Sequence, residues 1–403
     1  MKWATTISRK TSFEEAIREC AEDVARRLGP GTLSLTMAFV TPHFADYYPR
    51  LYGLVTRYLE PGAFLGCSGG GVIGGGEEVE RAPAVTLVAA RLPEVDLTPF
   101  RVDGPLPDLD GPPDAWERLV GVGADEEPQF VLLVDPFSVR AETLLAGLDY
   151  AFPASSKIGG LASGGTSPGL NTLFMNEAVF PDGAVGVALS GNVALDTIVA
   201  QGCRPVGELM RVTGCDGNLL YELDGKRALQ ALQELFATLD ERDRRLAGTA
   251  LFVGVLMDEF VEEPRVGDFL IRNLIGVDPQ RGAVAVGEHL QEGMRVRFHL
   301  RDAETSAEDL HAMLRGYEKA SPDPGSPSGA LLFSCLGRGE GLYGRPNFDT
   351  QVFHEHLGDV PVAGFFCNGE IGPVGGTTFL HGYTSSFGLF RPKASGTRHQ
   401  ASG

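Results

Sequence analysis

Three times along this chain an apolar run is followed by a helix-like stretch and then by a second, short apolar run that opens into a cluster of glycines. The first copy has TLSLTMAFV (32–40), a helical stretch from Tyr47 to Tyr58, AFLG and CSGGGVIGGG (67–76), and a return run AVTLVAARL (84–92). The second has FVLLVDPFS (130–138), a helix around Ala141 to Tyr150, KIGGLASGG (157–165), TLFMNEAVF (172–180) and AVGVALSG (184–191). The third has ALLFSCLGRG (330–339), a helix around Asp349 to Leu357, VPVAGFFCNGEIGPVGG (360–376) and GYTSSFGLF (382–390). From the first strand to the glycine cluster the spacing is about 29 to 37 residues, the length of a strand–helix–strand crossover between parallel strands. Glycine supplies 53 of the 403 residues, near twice the ~7% average, and this excess sits after strands rather than in linkers.

The pattern predicts an α/β protein of two domains, with mixed β-sheets covered by helices and built partly from repeated β-α-β-glycine-loop-β units. The expected division is an N-terminal helix over 1–30, a first domain over 31–220, a second over 221–392 and a flexible tail over 393–403. Ser12 and Glu15 have the spacing of a capping box ahead of the first helix, whose apolar stripe ends at Gly29–Pro30. The proline-rich stretch 92–119 reads as a surface excursion, and 320–329 as a second break.

Lys and Arg number 34 against 53 Asp and Glu, a net charge of −19. Such a surface repels phosphate backbones and anionic lipid heads, so nucleic acid and membrane are not expected as partners. Six scattered cysteines without a C-x-x-C suit a reducing compartment, and no signal peptide or membrane-length apolar run opens the chain. The expected location is cytoplasmic.

The combination of FLGCSGGGVIGGG (64–76), VALSGNVALDTIVAQGCRPVG (187–207), YELDGKRALQAL (221–232), DFLIRNLIGVDPQRGAVAVGEHLQEGMRVRFHLRDAE (268–304), LLFSCLGRGEGLYG (331–344) and VPVAGFFCNGEIGPVGG (360–376) resembles the FIST family, with its paired N-terminal and C-terminal domains. The resemblance implies a sensory, non-enzymatic protein that binds a small ligand, an amino acid or similar metabolite. Relatives of this kind are coupled to signalling output modules. This chain shows none, so a separate signalling partner protein is expected.

Glycine loops at strand ends let a ligand approach the backbone and offer amide groups to an anion. Gly69 and Gly70 belong to the first loop, Gly337 and Gly369 to the third copy. There Arg338 offers a fork for a carboxylate, Glu370 an acceptor for an ammonium group, and Asn368 both donor and acceptor. The competing reading pairs Arg338 with Glu370 and locks the loops. Arg272 and Asn273, in an otherwise apolar strand, are secondary candidates. Cys67, Cys335 and Cys367 flank the same loops. As nucleophiles they would define a hydrolase or transferase, and each needs a base. No histidine spacing suggests a metal site, and His354 and His356 point apart on their helix. No cofactor is expected, although some FIST relatives are haem-based nitric-oxide sensors and a single histidine can ligate haem.

Overall fold

The computed structural model describes residues 1–320 and 327–393. Most of the expected break at 320–329 and of the tail from 393 therefore lies outside the described residues. By contact the chain divides into two compact units. One comprises Met1–Val199, Leu314–Leu380 and the segment from Ser385 onward; the other comprises Ala200–Met313 with His381–Thr384.

The first unit is a threefold repetition. Its first copy contains β1 (Lys2–Ser8), the helix Phe13–Leu28, β2 (Leu33–Val40), a 3-10 turn leading into the helix Leu51–Val55, β3 (Pro61–Ser68), the hairpin β4 (Gly71–Gly74) with β5 (Glu77–Glu80), and β6 (Val85–Arg91). The second runs β7 (Val95–Val102), the helix Asp114–Val120, β8 (Gln129–Val134), the helix Ala141–Ala151, β9 (Lys157–Leu161), the hairpin β10 (Leu173–Met175) with β11 (Ala178–Phe180), and β12 (Ala184–Gly191). The third opens with β13 (Ala194–Ala200), and the second unit is inserted directly after it.

That inserted unit holds β14 (Cys203–Asp216), β15 (Leu219–Leu223), β16 (Lys226–Arg227), β17 (Leu251–Leu256), β18 (Phe269–Asp278), β19 (Ala283–Val286) and β20 (Arg295–Arg301). Its strands pair in the order β14-β20-β17-β18-β19-β15, and β15 pairs again with β14, which closes a barrel. After the helix Ala303–Ala320 the third copy resumes with β21 (Gly329–Cys335), the helices Glu340–Tyr343 and Phe348–Leu357, β22 (Val362–Cys367), the hairpin β23 (Glu370–Val374) with β24 (Thr377–His381), and β25 (Ser385–Arg391).

The three sheets have one plan. Their orders are β1-β6-β2-β3-β10-β11, β7-β12-β8-β9-β23-β24 and β13-β25-β21-β22-β4-β5. Each copy makes a parallel pair flanked by its own return strand and then takes on a hairpin belonging to another copy. The hairpin of copy one joins copy three, that of copy three joins copy two, and that of copy two joins copy one. The mixed sheets predicted from sequence are thus present, and their inner strands are buried on both faces, while the edge strands β7 and β11 are half-buried. Leu35, Met37 and Phe39 face a central core shared with Val131, Leu133, Leu331 and Phe333, while Ala38 and Val40 face the helix Phe13–Leu28. That two-sided burial accounts for the uninterrupted apolar runs.

Two local expectations are corrected. Ser12 makes no side-chain cap bond, and only its carbonyl receives Ala16 N; the Ser8 hydroxyl near it bonds Glu19 instead. The stretch taken for a surface excursion contains β7, which pairs only with β12. An edge strand of this kind is where a proline such as Pro99 is tolerated.

Candidate functional site

Each second strand of the threefold unit carries a glycine at the same register position. Gly66 lies opposite Ala38, Gly159 opposite Leu132, and Gly364 opposite Leu332. A Cβ there would sit 2.1, 2.0 and 1.7 Å, respectively, from the carbonyl oxygen of that neighbour. Only glycine lets the parallel pair approach this closely, and the recurrence explains why so little but glycine is shared among the copies.

Three or four residues beyond these positions the strands open into loops, and the loops meet. Ser163, buried, links all three copies. Its Oγ accepts from Gly70 N at 2.8 Å and donates to the Phe366 carbonyl, and its own N donates to the Ser68 carbonyl at 3.2 Å. Asn368 N donates to Leu161 O at 3.2 Å and Asn368 Nδ2 to Ala162 O at 3.1 Å, while Leu161 N returns a bond to Gly369 O at 2.8 Å. Gly69 N is held by Val40 O at 3.0 Å. The outer rim of this junction is open: Asn368 is exposed, and Gly70, Gly164, Leu336 and Gly337 reach solvent. The Asn368 amide oxygen has no partner among the described residues. A Cβ on Gly70 would lie 2.7 Å from Leu336 Cδ2, so a side chain there would crowd the rim.

Arg338 and Glu370 are placed differently from either expectation. Arg338 is buried, and its fork is taken by Asp349: Nε donates to Oδ2 and Nη2 to Oδ1, each at 3.0 Å. Nη2 also reaches the Tyr343 hydroxyl, and Nη1 has no partner among the described residues. Asp349 accepts in addition from Ser334 Oγ at 3.0 Å and from Ser385 Oγ. Burial would raise the Asp349 carboxyl, but the charge and hydrogen bonds of Arg338, with those of the two serines, outweigh it and hold the group below the ordinary aspartate value. Arg338 is thus an internal brace. It fixes the Cys335–Arg338 turn, which Arg338 N also closes onto Cys335 O at 2.8 Å, against the helix Phe348–Leu357. Glu370 is buried at the start of β23, opposite Gly160 of the second copy.

The brace is extended by the hairpin of copy one. Glu78 Oε1 accepts from Thr350 N at 2.7 Å, and Glu78 N donates to Asn347 Oδ1 at 2.7 Å, so the carboxylate sits at the start of the helix carrying Asp349. Its other oxygen is buried without a partner among the described residues. Burial, and then the Asp349 charge, push the Glu78 carboxyl up to about 8. Glu80 caps the neighbouring short helix, accepting from Glu340 N at 2.8 Å, and burial raises it too.

Cys67 and Cys367 are fully buried, and burial pushes both thiols well above the ordinary value; for Cys367 the charge of Glu370 adds to it. Burial thus disfavours in both the thiolate that a nucleophile requires. Cys335 is buried beneath the same turn, its Sγ receiving Gly337 N at 3.5 Å. Arg272 and Asn273 lie on β18 of the barrel. Arg272 Nε is bound by Glu288 at 2.6 Å, and the Asn273 amide oxygen takes the Tyr383 hydroxyl. The sequence reading therefore singled out these loops and Arg338, the latter as a ligand reader or a partner of Glu370 rather than of Asp349, and missed Ser163, Asp349 and Glu78. Ser163 carried a signal, since it occupies its own glycine cluster as Ser68 does the first. Among the described residues no group of three or more His, Cys, Asp and Glu is arranged to hold a metal ion. No described helix is long and apolar enough to cross a membrane.

A threefold α/β unit with a closed barrel inserted, and with a junction of glycine loops at its strand ends, matches two family models in tandem: a FIST N domain over residues 34–226 and a FIST C domain over 228–373. The chain belongs to the FIST family, whose domains are sensory domains for small ligands. An uncharacterized protein of Mycobacterium tuberculosis is 35% identical over 393 residues, covering 97% of this chain and all of that protein. One from Mycobacterium bovis is 33% identical over 390 residues, covering 93% of this chain and 95% of its own length. Among solved structures, a cyanuric acid hydrolase from A. caulinodans aligns over 97% of this chain and all of its own, at 8% identity and a TM-score of 0.33; a likeness at that level assigns no role to any residue. The boundary between the family models falls at the start of the helix Ala228–Thr238, inside the barrel unit, so the division by sequence and the division by contact are different cuts of the chain.

Proposed function

We propose that this chain is a cytoplasmic receptor for a small polar metabolite, an amino acid or a close relative, and that it acts through a separate partner protein rather than by catalysis. The observation that carries the reading is the meeting of three loops, distant in sequence, at Ser163, with an open rim of glycines around Asn368. Loop amides suit a ligand carboxylate, and the Asn368 amide oxygen suits an ammonium or hydroxyl donor. Arg338 enters as a positioning residue: it holds the Leu336–Gly337 turn at the rim while its charge is spent on Asp349. Burial of the Cys67 and Cys367 thiols argues against a cysteine enzyme.

The test is a thermal-shift screen of the amino acids and their common derivatives. A ligand that binds only the folded chain stabilises it by about 2.7 kcal/mol at a hundredfold excess over its dissociation constant. Asn368→Ala is expected to remove the shift while lowering the melting of the unliganded protein only slightly, since the residue is exposed and the side chain's one hydrogen bond, to Ala162 O, is worth about 1 kcal/mol. If no member of the panel shifts the wild-type protein, the reading fails.

A further inference from the structure

Phe260 stands out among the exposed apolar residues of the molecule: 94% of its surface faces solvent. It lies in the barrel, in the connection between β17 and β18, whose base is closed by Met257 N donating to Asp268 O at 3.0 Å. The residues on both sides of the ring are pinned from a neighbouring strand. Arg295 of β20 donates through Nε to Glu259 Oε2 at 2.8 Å, and its own N donates to Glu259 Oε1 at 2.9 Å. Its Nη2 reaches the carbonyls of Glu259 at 2.7 Å and Val261 at 2.8 Å. Asp258 Oδ1 in turn accepts from Phe260 N at 2.9 Å. The chain on either side of an exposed aromatic ring is thus fixed before anything binds it. That removes much of the ordering cost of association, and aromatic side chains are enriched among the residues that anchor protein interfaces.

The charge around the ring defines what it fits. From Asp258 to Asp268 the chain carries five carboxylates against one arginine. Glu259 is engaged by Arg295, whereas Glu262 and Glu263, next along the chain, are exposed and make no ion pair among the described residues. An acidic collar disfavours anionic lipid and a second copy of this acidic chain, and favours a basic surface. We propose that the Asp258–Gly267 loop docks a partner protein that presents an apolar pocket for Phe260, rimmed by lysine or arginine. This supplies the partner that the receptor reading calls for and rests on that reading for its purpose, while the observations that carry it are independent of the glycine loops.

The experiment uses the full chain with the photo-crosslinker benzoylphenylalanine in place of Phe260, made in the cells that naturally contain the protein, with the crosslinked peptide sequenced by mass spectrometry. The expected result is one crosslinked protein whose labelled peptide lines an apolar pocket with Lys or Arg at its rim. Glu262→Lys together with Glu263→Lys is then expected to lower the crosslink yield fivefold or more. Absence of a crosslinked protein, crosslinking to a second copy of this chain or to lipid, a labelled peptide without basic neighbours, or a yield reduced less than fivefold by the charge reversal would each overturn the proposal. Failure here leaves ligand-induced thermal shifts intact, and failure of the metabolite screen leaves the crosslink intact, so the two readings are separately refutable.

Discussion

The threefold unit and the barrel hold themselves together by different means. The barrel closes on itself, so every strand of the closed circuit has a partner on each side, and its ion pairs sit near the surface. Arg204 with Asp243 and Asp302, Arg272 with Glu288, and Arg295 with Glu259 all retain solvent exposure. The threefold unit instead exchanges hairpins among three similar copies and places charge inside. Each seam has its own chemistry. The copy-one hairpin docks through Glu78 onto Thr350, and the copy-three hairpin through Thr378 onto Asp149, which also binds the buried Lys157 at 2.9 Å. The copy-two hairpin docks through Phe174 packed edge-on against Tyr48, with Asn176 receiving Phe64 N. Three alike seams would let a hairpin settle on the wrong sheet, and unlike seams oppose that. Repetition gives the backbone plan, and polar contacts say which copy goes where.

The largest effect that would break this contrast is expected at the brace. Arg338→Ala or Asp349→Ala leaves a buried charge without its partner, a loss of about 3–5 kcal/mol. The chain's two tryptophans, Trp3 and Trp116, are both buried in the threefold unit, so tryptophan fluorescence during urea unfolding reports that unit alone. Its transition should move to much lower urea in either variant. The joint replacement Arg338→Met with Asp349→Leu should recover most of the loss, because it removes both charges together. An unmoved transition in Arg338→Ala would return the guanidinium to the role that the bare sequence offered it, as a reader of ligand.

Next in size is a pair of opposed pH dependences. Glu78 is raised by burial to about 8 from an ordinary 4.5. Across that window the folded unit keeps a proton that the unfolded chain has lost, so the threefold unit loses stability as pH rises, at most about 1.4 kcal/mol per pH unit. Glu78→Gln should flatten the slope and leave the unit more stable than wild type at pH 8. In the barrel, His299 is buried with its Nδ1 on the Arg297 carbonyl at 3.0 Å, and burial lowers it to about 4 from 6.5. There the unfolded chain takes up the proton first, so the barrel loses stability as pH falls from 6.5 towards 4. His299→Gln should abolish that loss. Between pH 6.5 and 4.5 the tryptophan signal should therefore show strengthening, while the far-ultraviolet signal not accounted for by it should show weakening. Parallel slopes in the two units would contradict this assignment of the buried groups.

The contrast between the two units also shows what a linear sequence can reveal. The three copies were legible because Gly66, Gly159 and Gly364 answer a local steric demand, and local demands leave local marks. The exchange of hairpins was not legible. β4 pairs with β22, and β10 with β3, across separations that no short pattern encodes. Asp349 was hidden for a related reason: an acidic residue in the first turn of a helix reads as a favourable surface charge, whereas here it faces inward to Arg338. The hydroxyl of Ser334 within an otherwise apolar strand was the one hint that a buried polar partner lay across from it. In the barrel the strand runs were visible and the closure was not, since the pairing of β15 back to β14 depends on a register containing bulges. Prolines masked β7 because an edge strand accepts what an interior one rejects.

The smallest effect concerns thiols and sharpens the same contrast without disturbing the fold. Cys20, Cys67, Cys335 and Cys367 are all buried in the threefold unit, and Cys203 is buried in the barrel, leaving Cys215 of the barrel as the partly exposed cysteine. Burial pushes the Cys20 thiol up to about 12, and those of Cys67 and Cys367 higher than their ordinary value as well. Since the thiolate is the reacting form, iodoacetamide at pH 7.5 should modify Cys215 alone in the native protein, slowly because burial raises that thiol also. Cys215→Ser should then leave no native labelling, and the remaining cysteines should react only beyond the urea transition of the unit that holds them. Rapid native labelling of Cys335 that a metabolite blocks would mean that the turn braced by Arg338 opens to solvent. The threefold unit would then be the more permeable of the two despite its buried charge, and a cysteine-dependent reaction at the loop junction would become the better account of the site.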